Sequence, residues 1–143
     1  MSKILISKKF YLEMAHALWE YKGKCSSIHG HTYKIIVSVR LKDNNSLKDM
    51  VMDFNLLKKI VKETIIEKFD HSLLLYKNAK YSNQIDLTLE CFQKVYFLEF
   101  QPTCENLVKF FSDLIIKKLP ENIKLVSIKL WEGIYNYAEM INE

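Results

Sequence analysis

The stretch CSSIHGHTYKIIVSVRL, residues 25–41, holds the pattern on which the interpretation of the whole chain depends. From His29 to Leu41 apolar and polar side chains alternate, which is the period of a β-strand. On such a strand His29 and His31 point to the same side, because residues two apart share a face. The stretch therefore predicts a strand that presents two imidazoles together near its start.

A second alternating stretch lies upstream, at residues 4–17, and it places His16 on one face with Leu12 and Met14. If the two strands pair antiparallel, His16 near the end of the first lies opposite the start of the second. Three imidazoles would then converge. Three neutral nitrogen ligands that leave a coordination position open are typical of a catalytic zinc site, so a site for Zn²⁺ is one interpretation of this cluster.

Spacing alone leaves alternatives to this site open. A single histidine on a strand is more often a hydrogen-bonded core or surface residue than a metal ligand. Cys25, which precedes His29 by four positions, could be a fourth zinc ligand or a free thiolate whose pKa the cation lowers. Spacing cannot choose between these two roles.

Four further residues carry groups suited to chemistry. Asp70 can orient His71 at a helix end only if the chain bends so that their side chains meet. Glu105 also has a structural explanation, since a negative charge near a helix start is favourable. Glu132 lies in an apolar strand, where a carboxylate is costly to bury unless it meets donors such as the N–H groups of a heterocycle.

The elements follow the order strand, strand, helix, extra piece, helix, strand, strand. Asp53 is the predicted N-cap of the first helix, which ends near Asp70, and Pro102-Thr103 begins the second. The piece between them is the least regular, with a short helix expected at 85–95 and a short strand at 95–100. This order predicts an α+β fold with helices on one side of an antiparallel sheet.

Bulk composition limits the class of protein. A chain of 143 residues with 49% hydrophobic content suits a single domain, residues 1–143. The net charge of +4 is spread over predicted helix faces, which argues against a nucleic-acid partner. Three cysteines, no apolar signal region and no apolar run of ~18 residues predict a cytoplasmic protein with free thiols and no membrane span.

Taken together, the motifs resemble the 6-pyruvoyltetrahydropterin synthase / 6-carboxytetrahydropterin synthase family over almost the entire chain. The motifs are Ala15-His16, Cys25-x3-His29-Gly30-His31-x-Tyr33, Met52-Asp53-Phe54-x-x-Leu57, Asp70-His71-x-Leu73, Pro102-Thr103-x-Glu105-Asn106 and Glu132. The resemblance implies the tunnelling fold, a four-stranded antiparallel sheet with two long helices on one face, here with an extra segment at about 72–101. It also implies a homo-oligomer, commonly a hexamer made of two trimers, with active sites at subunit interfaces.

The resemblance further implies roles for nine residues. The zinc ligands would be His16, His29 and His31, the catalytic residues Cys25, Asp70 and His71, and the pterin-binding residues Glu132, Thr103 and Glu105. The implied substrate is 7,8-dihydroneopterin triphosphate. Cys104 resembles no functional position of the family.

The family has two branches that differ in product. Three residues separate Cys25 from His29, the spacing usual in the branch that makes 6-carboxytetrahydropterin for queuosine and other deazapurines. That branch releases triphosphate and acetaldehyde. The alternatives are 6-pyruvoyltetrahydropterin synthesis and, in a different class, a pterin- or metal-binding protein without catalytic activity.

Overall fold

Six strands form one mixed sheet in the computed structural model, which describes residues 2–143. Their order across the sheet is β4-β3-β1-β2-β5-β6. The bounds are β1 Ile6–His16, β2 His29–Leu41, β3 Ser72–Tyr76, β4 Val95–Leu98, β5 Ile123–Glu132 and β6 Asn136–Ile141. Neighbours among β1, β2, β5 and β6 are antiparallel, as the alternating patterns predicted.

The predicted four-stranded, wholly antiparallel sheet is wrong, because β3 and β4 extend it with parallel pairs. β3 pairs with the free edge of β1, and β4 pairs with β3. Both strands come from the segment at 72–101. β3 is short and buried along most of its length, so it lacks the alternation that reveals a half-exposed strand. The short helix expected at 85–95 is also wrong, since only a 3₁₀ turn, Glu90–Phe92, forms there.

Two long helices lie on one face of the sheet. The first consists of α1 Phe54–Val61, a π-helical stretch Lys62–Ile66 and α2 Glu67–Phe69, which follow one another without a break. The second is α3 Cys104–Ile116. Across residues 2–143, the helices are too short or too polar to cross a bilayer.

Both helix starts are capped, the first of them as the sequence predicts. The Asp53 carboxylate accepts a hydrogen bond from the amide of Asn55, and the Thr103 hydroxyl accepts one from the amide of Asn106. These contacts satisfy amides that the first helical turn leaves without partners. The second cap also fixes the path of the chain just before α3, at Pro102, which contacts the histidine site.

The core fills the space between the helices and the inner face of the sheet. Side chains with at most 1% exposure include Leu12, Tyr33, Ile35, Leu57, Ile65, Leu107, Phe111, Ile115, Ile128 and Leu130. The strands contribute alternate residues, as expected for a sheet with one covered face. His16 lies on this inner face and is only 2% exposed.

Two neighbouring leucines on α1 provide a matched test of this core. Leu57 is fully buried, whereas Leu56 is 42% exposed. We expect Leu57→Ala to lower the free energy of unfolding by about 2–5 kcal/mol, because it removes buried methyl groups and leaves a cavity. Leu56→Ala should cost less than about 0.5 kcal/mol. Denaturant titrations measure both, and equal losses would contradict the described orientation of α1.

Candidate active site

Three histidines converge where β1 ends and β2 begins. In the antiparallel register His16 pairs directly with His29, and His31 lies one same-face step further along β2. One ring nitrogen from each histidine lies within 4.8 Å of the other two. The predicted convergence of the three imidazoles is therefore present in the structure.

Hydrogen bonds to carbonyl groups orient two of the rings. Nδ1 of His16 donates to the carbonyl of Pro102 at 2.6 Å, and Nδ1 of His29 donates to the carbonyl of Ser27 at 2.7 Å. A carbonyl only accepts, so each Nδ1 carries a proton. In the neutral ring the other nitrogen, Nε2, then offers a lone pair.

The Nε2 atoms of His16 and His29 face each other at 3.1 Å. Two lone pairs at that distance repel unless a cation or a proton lies between them. His31 adds a third nitrogen, Nε2, which is buried and has no hydrogen-bond partner. Three imidazole nitrogens with carbonyl partners behind two of them are the donor set that Zn²⁺ prefers, so these residues fit the metal.

Burial keeps one of these donors neutral. Desolvation lowers the pKa of His16, and the nearby rings of His29 and His31 add to the effect, although the Pro102 carbonyl and the Glu132 charge oppose it. A neutral imidazole is the form that binds a metal ion. The position of His16 inside the core thus favours its use as a ligand.

Glu132, the last residue of β5, places its carboxylate beside the histidines. Oε1 lies 3.1 Å from Nε2 of His31 and 4.0 Å from Nε2 of His16. The contact with His31 is a close approach of the two atoms without the geometry of a hydrogen bond. From its apolar strand we expect the Glu132 carboxylate to meet hydrogen-bond donors. The structure places it at the edge of the histidine cluster.

Cys25 lies near the cluster in the chain but is not one of its converging donors. It belongs to a single 3₁₀ turn, Lys24–Ser26, and its carbonyl accepts a hydrogen bond from the amide of Leu18. Among residues 2–143 the group of donor atoms that could share a metal ion consists of the three histidines alone. The thiol is free and half-buried. This arrangement favours the free thiol over the fourth ligand.

The chain bends at Asp70 so that its side chain meets that of His71. Nδ1 of His71 lies 3.0 Å from Oδ2 of Asp70, and the backbone at His71 has a φ of 62°, an uncommon value for a residue with a side chain. Glu13 of β1 holds this turn from both sides. Its amide donates to Oδ1 of Asp70 and its carbonyl accepts from the amide of His71.

The surroundings of Asp70 favour its charged form. Partial burial opposes ionisation, but the Glu13 amide, the His71 ring and the Lys94 charge together lower the pKa of Asp70. Nζ of Lys94 also donates to the carbonyls of Glu67 and Asp70, both at 2.9 Å. Lys94 therefore secures the end of the first helix at the turn that carries His71.

His71 and the histidine cluster lie on opposite faces of the sheet. His71 lines a cavity of about 540 Å³ that reaches Met14 and His31 and is bordered on the face of His71 by Glu13 and Thr32. Both of these residues are exposed, and each alternates along its strand with an inward-facing neighbour such as Met14 or His31. Within one chain, the structure does not bring His71 to the cluster.

Thr103 and Glu105 each have a structural role at the start of α3 in this chain. The Thr103 hydroxyl is occupied as the N-cap of α3, and Glu105 is exposed in the first turn of that helix. Neither side chain forms a hydrogen bond or ion pair with the histidines among residues 2–143. Their segment instead contributes the Pro102 carbonyl, which sequence reasoning missed because a carbonyl has no residue-type signature.

Two more groups near the cluster were not predicted to take part. The hydroxyl of Tyr33 is buried without a hydrogen-bond partner, and burial, reinforced by the charge of Glu132, raises the pKa of Tyr33. The Cys104 thiol donates to the carbonyl of Leu130 at 3.1 Å. Burial raises the pKa of Cys104 to about 11, so this thiol stays protonated and is a poor candidate for a base.

Solved structures of similar shape support the tunnelling fold. A protein of Wolinella succinogenes superposes with a TM-score of 0.79 over 100% of both chains at 19% identity. The 6-pyruvoyl tetrahydropterin synthase of Plasmodium falciparum superposes with a TM-score of 0.71 over 98% of both chains, also at 19% identity. At this identity the two likenesses concern the fold alone.

Sequence comparison gives the family. The chain is 35% identical over 137 residues to the 6-carboxy-5,6,7,8-tetrahydropterin synthase of Haemophilus influenzae, which covers 94% of this chain and 96% of that protein. It is 34% identical over 160 residues to the protein of the same name from Aquifex aeolicus, at 96% and 98% coverage. The family model for 6-pyruvoyl tetrahydropterin synthase matches residues 5–143. The chain belongs to the 6-pyruvoyl tetrahydropterin synthase family.

Proposed function

We propose that this protein is a zinc-dependent 6-carboxy-5,6,7,8-tetrahydropterin synthase. The reaction would convert 7,8-dihydroneopterin triphosphate to 6-carboxy-5,6,7,8-tetrahydropterin with release of triphosphate and acetaldehyde. The observation that carries the proposal is the convergence of three imidazole nitrogens beside a carboxylate in a chain of this family. The names of the relatives from Haemophilus influenzae and Aquifex aeolicus favour this branch over the pyruvoyl branch.

In this proposal His16, His29 and His31 hold the metal through their Nε2 atoms. A zinc ion bound there supplies Lewis acidity, which withdraws charge from the hydroxyl groups of the substrate side chain and makes neighbouring protons easier to remove. The carbonyls of Pro102 and Ser27 fix the rings, so the ligands need little rearrangement when the metal binds.

The remaining residues bind the substrate and move its protons. Cys25, as the thiolate, accepts a proton from the side chain of the substrate. His71, held by Asp70, donates or accepts a proton on the other side. Glu132 accepts hydrogen bonds from the N–H groups of the pterin ring and so fixes the reacting carbons relative to these groups.

The placement of His71 favours a site built from more than one chain. Asp70 and His71 lie on the face of the sheet opposite the cluster, so they would serve the site of a neighbouring copy. We therefore propose a homo-oligomer, a hexamer in keeping with the family resemblance, with active sites at subunit interfaces. Thr103 and Glu105 remain proposed pterin contacts in that assembly, and cytoplasmic synthesis of queuosine or another deazapurine is the proposed context.

The product of the reaction tests the branch. Purified zinc-loaded protein incubated with 7,8-dihydroneopterin triphosphate should yield 6-carboxytetrahydropterin and acetaldehyde, both identified by mass spectrometry. Treatment with a chelator should abolish product formation, and added zinc should restore it. A pyruvoyl product would assign the protein to the other branch. Tight pterin binding without turnover would favour the non-catalytic alternative.

Metal binding is tested separately from turnover. Changing an outer partner of a metal ligand commonly costs about 10–100-fold in affinity, so His31→Ala, which removes a ligand, should weaken zinc binding by at least about 100-fold. His71→Ala is the matched control and should leave zinc affinity unchanged. Competition with a chromophoric chelator measures both constants. Equal zinc affinity in His31→Ala and the unmodified protein would overturn the ligand assignment.

Cys25→Ala distinguishes a base from a fourth ligand. If Cys25 moves a proton, the variant should keep its zinc and lose about 10²–10⁴-fold in kcat. Cys91→Ala, at an exposed cysteine, should leave both quantities unchanged. Zinc content by mass spectrometry and steady-state kinetics give the answer. Loss of zinc from Cys25→Ala would show that the thiol is a ligand after all.

A further inference from the structure

The hydroxyl of Tyr33 is buried and forms no hydrogen bond that would stabilise the fold. The residue is 0% exposed, and its oxygen is buried without a hydrogen-bond partner. Buried hydroxyls in proteins nearly always find a partner, because an unpaired one loses its bonds to water without replacement. A phenylalanine would fill the same core position without this cost, so the hydroxyl calls for a functional explanation.

The strand register places Tyr33 directly opposite Glu132. The two residues pair across β2 and β5, and both side chains lie on the inner face that carries the histidines. Paired residues on adjacent strands have their Cβ atoms about 4.5–5.5 Å apart, close enough for long side chains to touch. The Tyr33 ring also stands edge-on to His31, with 5.6 Å between ring centroids.

The nearest thiol is already committed elsewhere. Cys104 uses its proton in the bond to the Leu130 carbonyl, so the charged acceptor paired with Tyr33 across the strands is the Glu132 carboxylate. Glu132 now contacts Nε2 of His31 at 3.1 Å. A ring nitrogen that gives its lone pair to a metal ion carries no proton and cannot donate to a carboxylate. His31 forms no hydrogen bond with Glu132 in the structure, and none can form once His31 binds a metal ion, so the donors to Glu132 come from other groups.

We propose that Tyr33 is a positioning residue for Glu132, and that its hydroxyl donates a hydrogen bond to the carboxylate when the histidines hold a metal ion. The inference rests on the proposed function, in which Glu132 binds the pterin ring. One carboxylate lone pair is held by the tyrosine, and the others face the N–H groups of the pterin. Tyr33 thereby sets the orientation of the group that recognises the substrate.

Tyr33→Phe tests this role because it deletes the hydroxyl and keeps the ring. We expect the dissociation constant of zinc-loaded protein for 7,8-dihydroneopterin, measured by fluorescence titration, to rise about tenfold or more, as for the loss of a hydrogen bond to a charged group. Zinc content and the melting temperature of the metal-free protein should not fall, because the hydroxyl has no partner in the metal-free fold. Tyr96→Phe removes a hydroxyl that bonds to the Lys68 carbonyl away from the cluster, and it should leave pterin affinity unchanged.

A double-mutant cycle with Glu132→Gln shows whether Tyr33 acts through Glu132. In the Glu132→Gln background, Tyr33→Phe should change pterin affinity by less than about twofold, since the charged acceptor has gone. The same loss in both backgrounds, an unchanged affinity in the single variant, or a loss of zinc or of metal-free melting temperature in that variant would each overturn the proposal.

The unmodified protein separates this inference from the proposed function. If it binds 7,8-dihydroneopterin but makes no 6-carboxytetrahydropterin, the proposed reaction fails, and a weaker affinity in Tyr33→Phe still supports the positioning role. If it makes the product and Tyr33→Phe binds as tightly, the positioning role alone fails. An unmodified protein that binds no pterin overturns both.

Discussion

The antiparallel register of β1 against β2 is the constraint on which the candidate site depends. His16 pairs with His29 because the core residues of both strands pair with one another along the rest of the ladder. A slip of one residue would turn either strand over and send its histidines to the opposite face. The burial of Leu12 and Ile35 under the helices resists that slip. The hydrophobic core therefore determines where three polar rings meet.

Strand alternation predicted this part of the molecule well. It placed His16, His29 and His31 on one face from residue spacing alone, and the helix cap at Asp53 followed from residue type. These predictions succeeded because the information is local. The carbonyl groups that orient the rings were not predictable, because Pro102 reaches His16 only through the packing of α3 against the sheet.

The parallel strands show where sequence periodicity stops being informative. β3 is nearly all buried, so its leucine-rich sequence fits a strand or a piece of helix equally well. The sequence analysis therefore missed β3, and it predicted a strand at 95–100 without placing β4 in the sheet. Because β3 was not predicted, the position of His71 was not predictable either. The pairing of β3 with β1 and the hydrogen bond to Glu13 fix the turn that carries His71. A motif such as Asp70-His71 can be recognised from its residue types although its three-dimensional position is not predictable from them.

The sheet itself separates the two halves of the proposed chemistry. The metal donors and Glu132 lie on the helix-covered face, and Asp70 with His71 faces the other way. A rigid sheet cannot bring its two faces together, so no movement of side chains within one chain completes the proposed set of groups. If the reaction uses both halves, association of chains is part of the active site, and any change that separates the subunits should abolish turnover while leaving the three imidazoles in place.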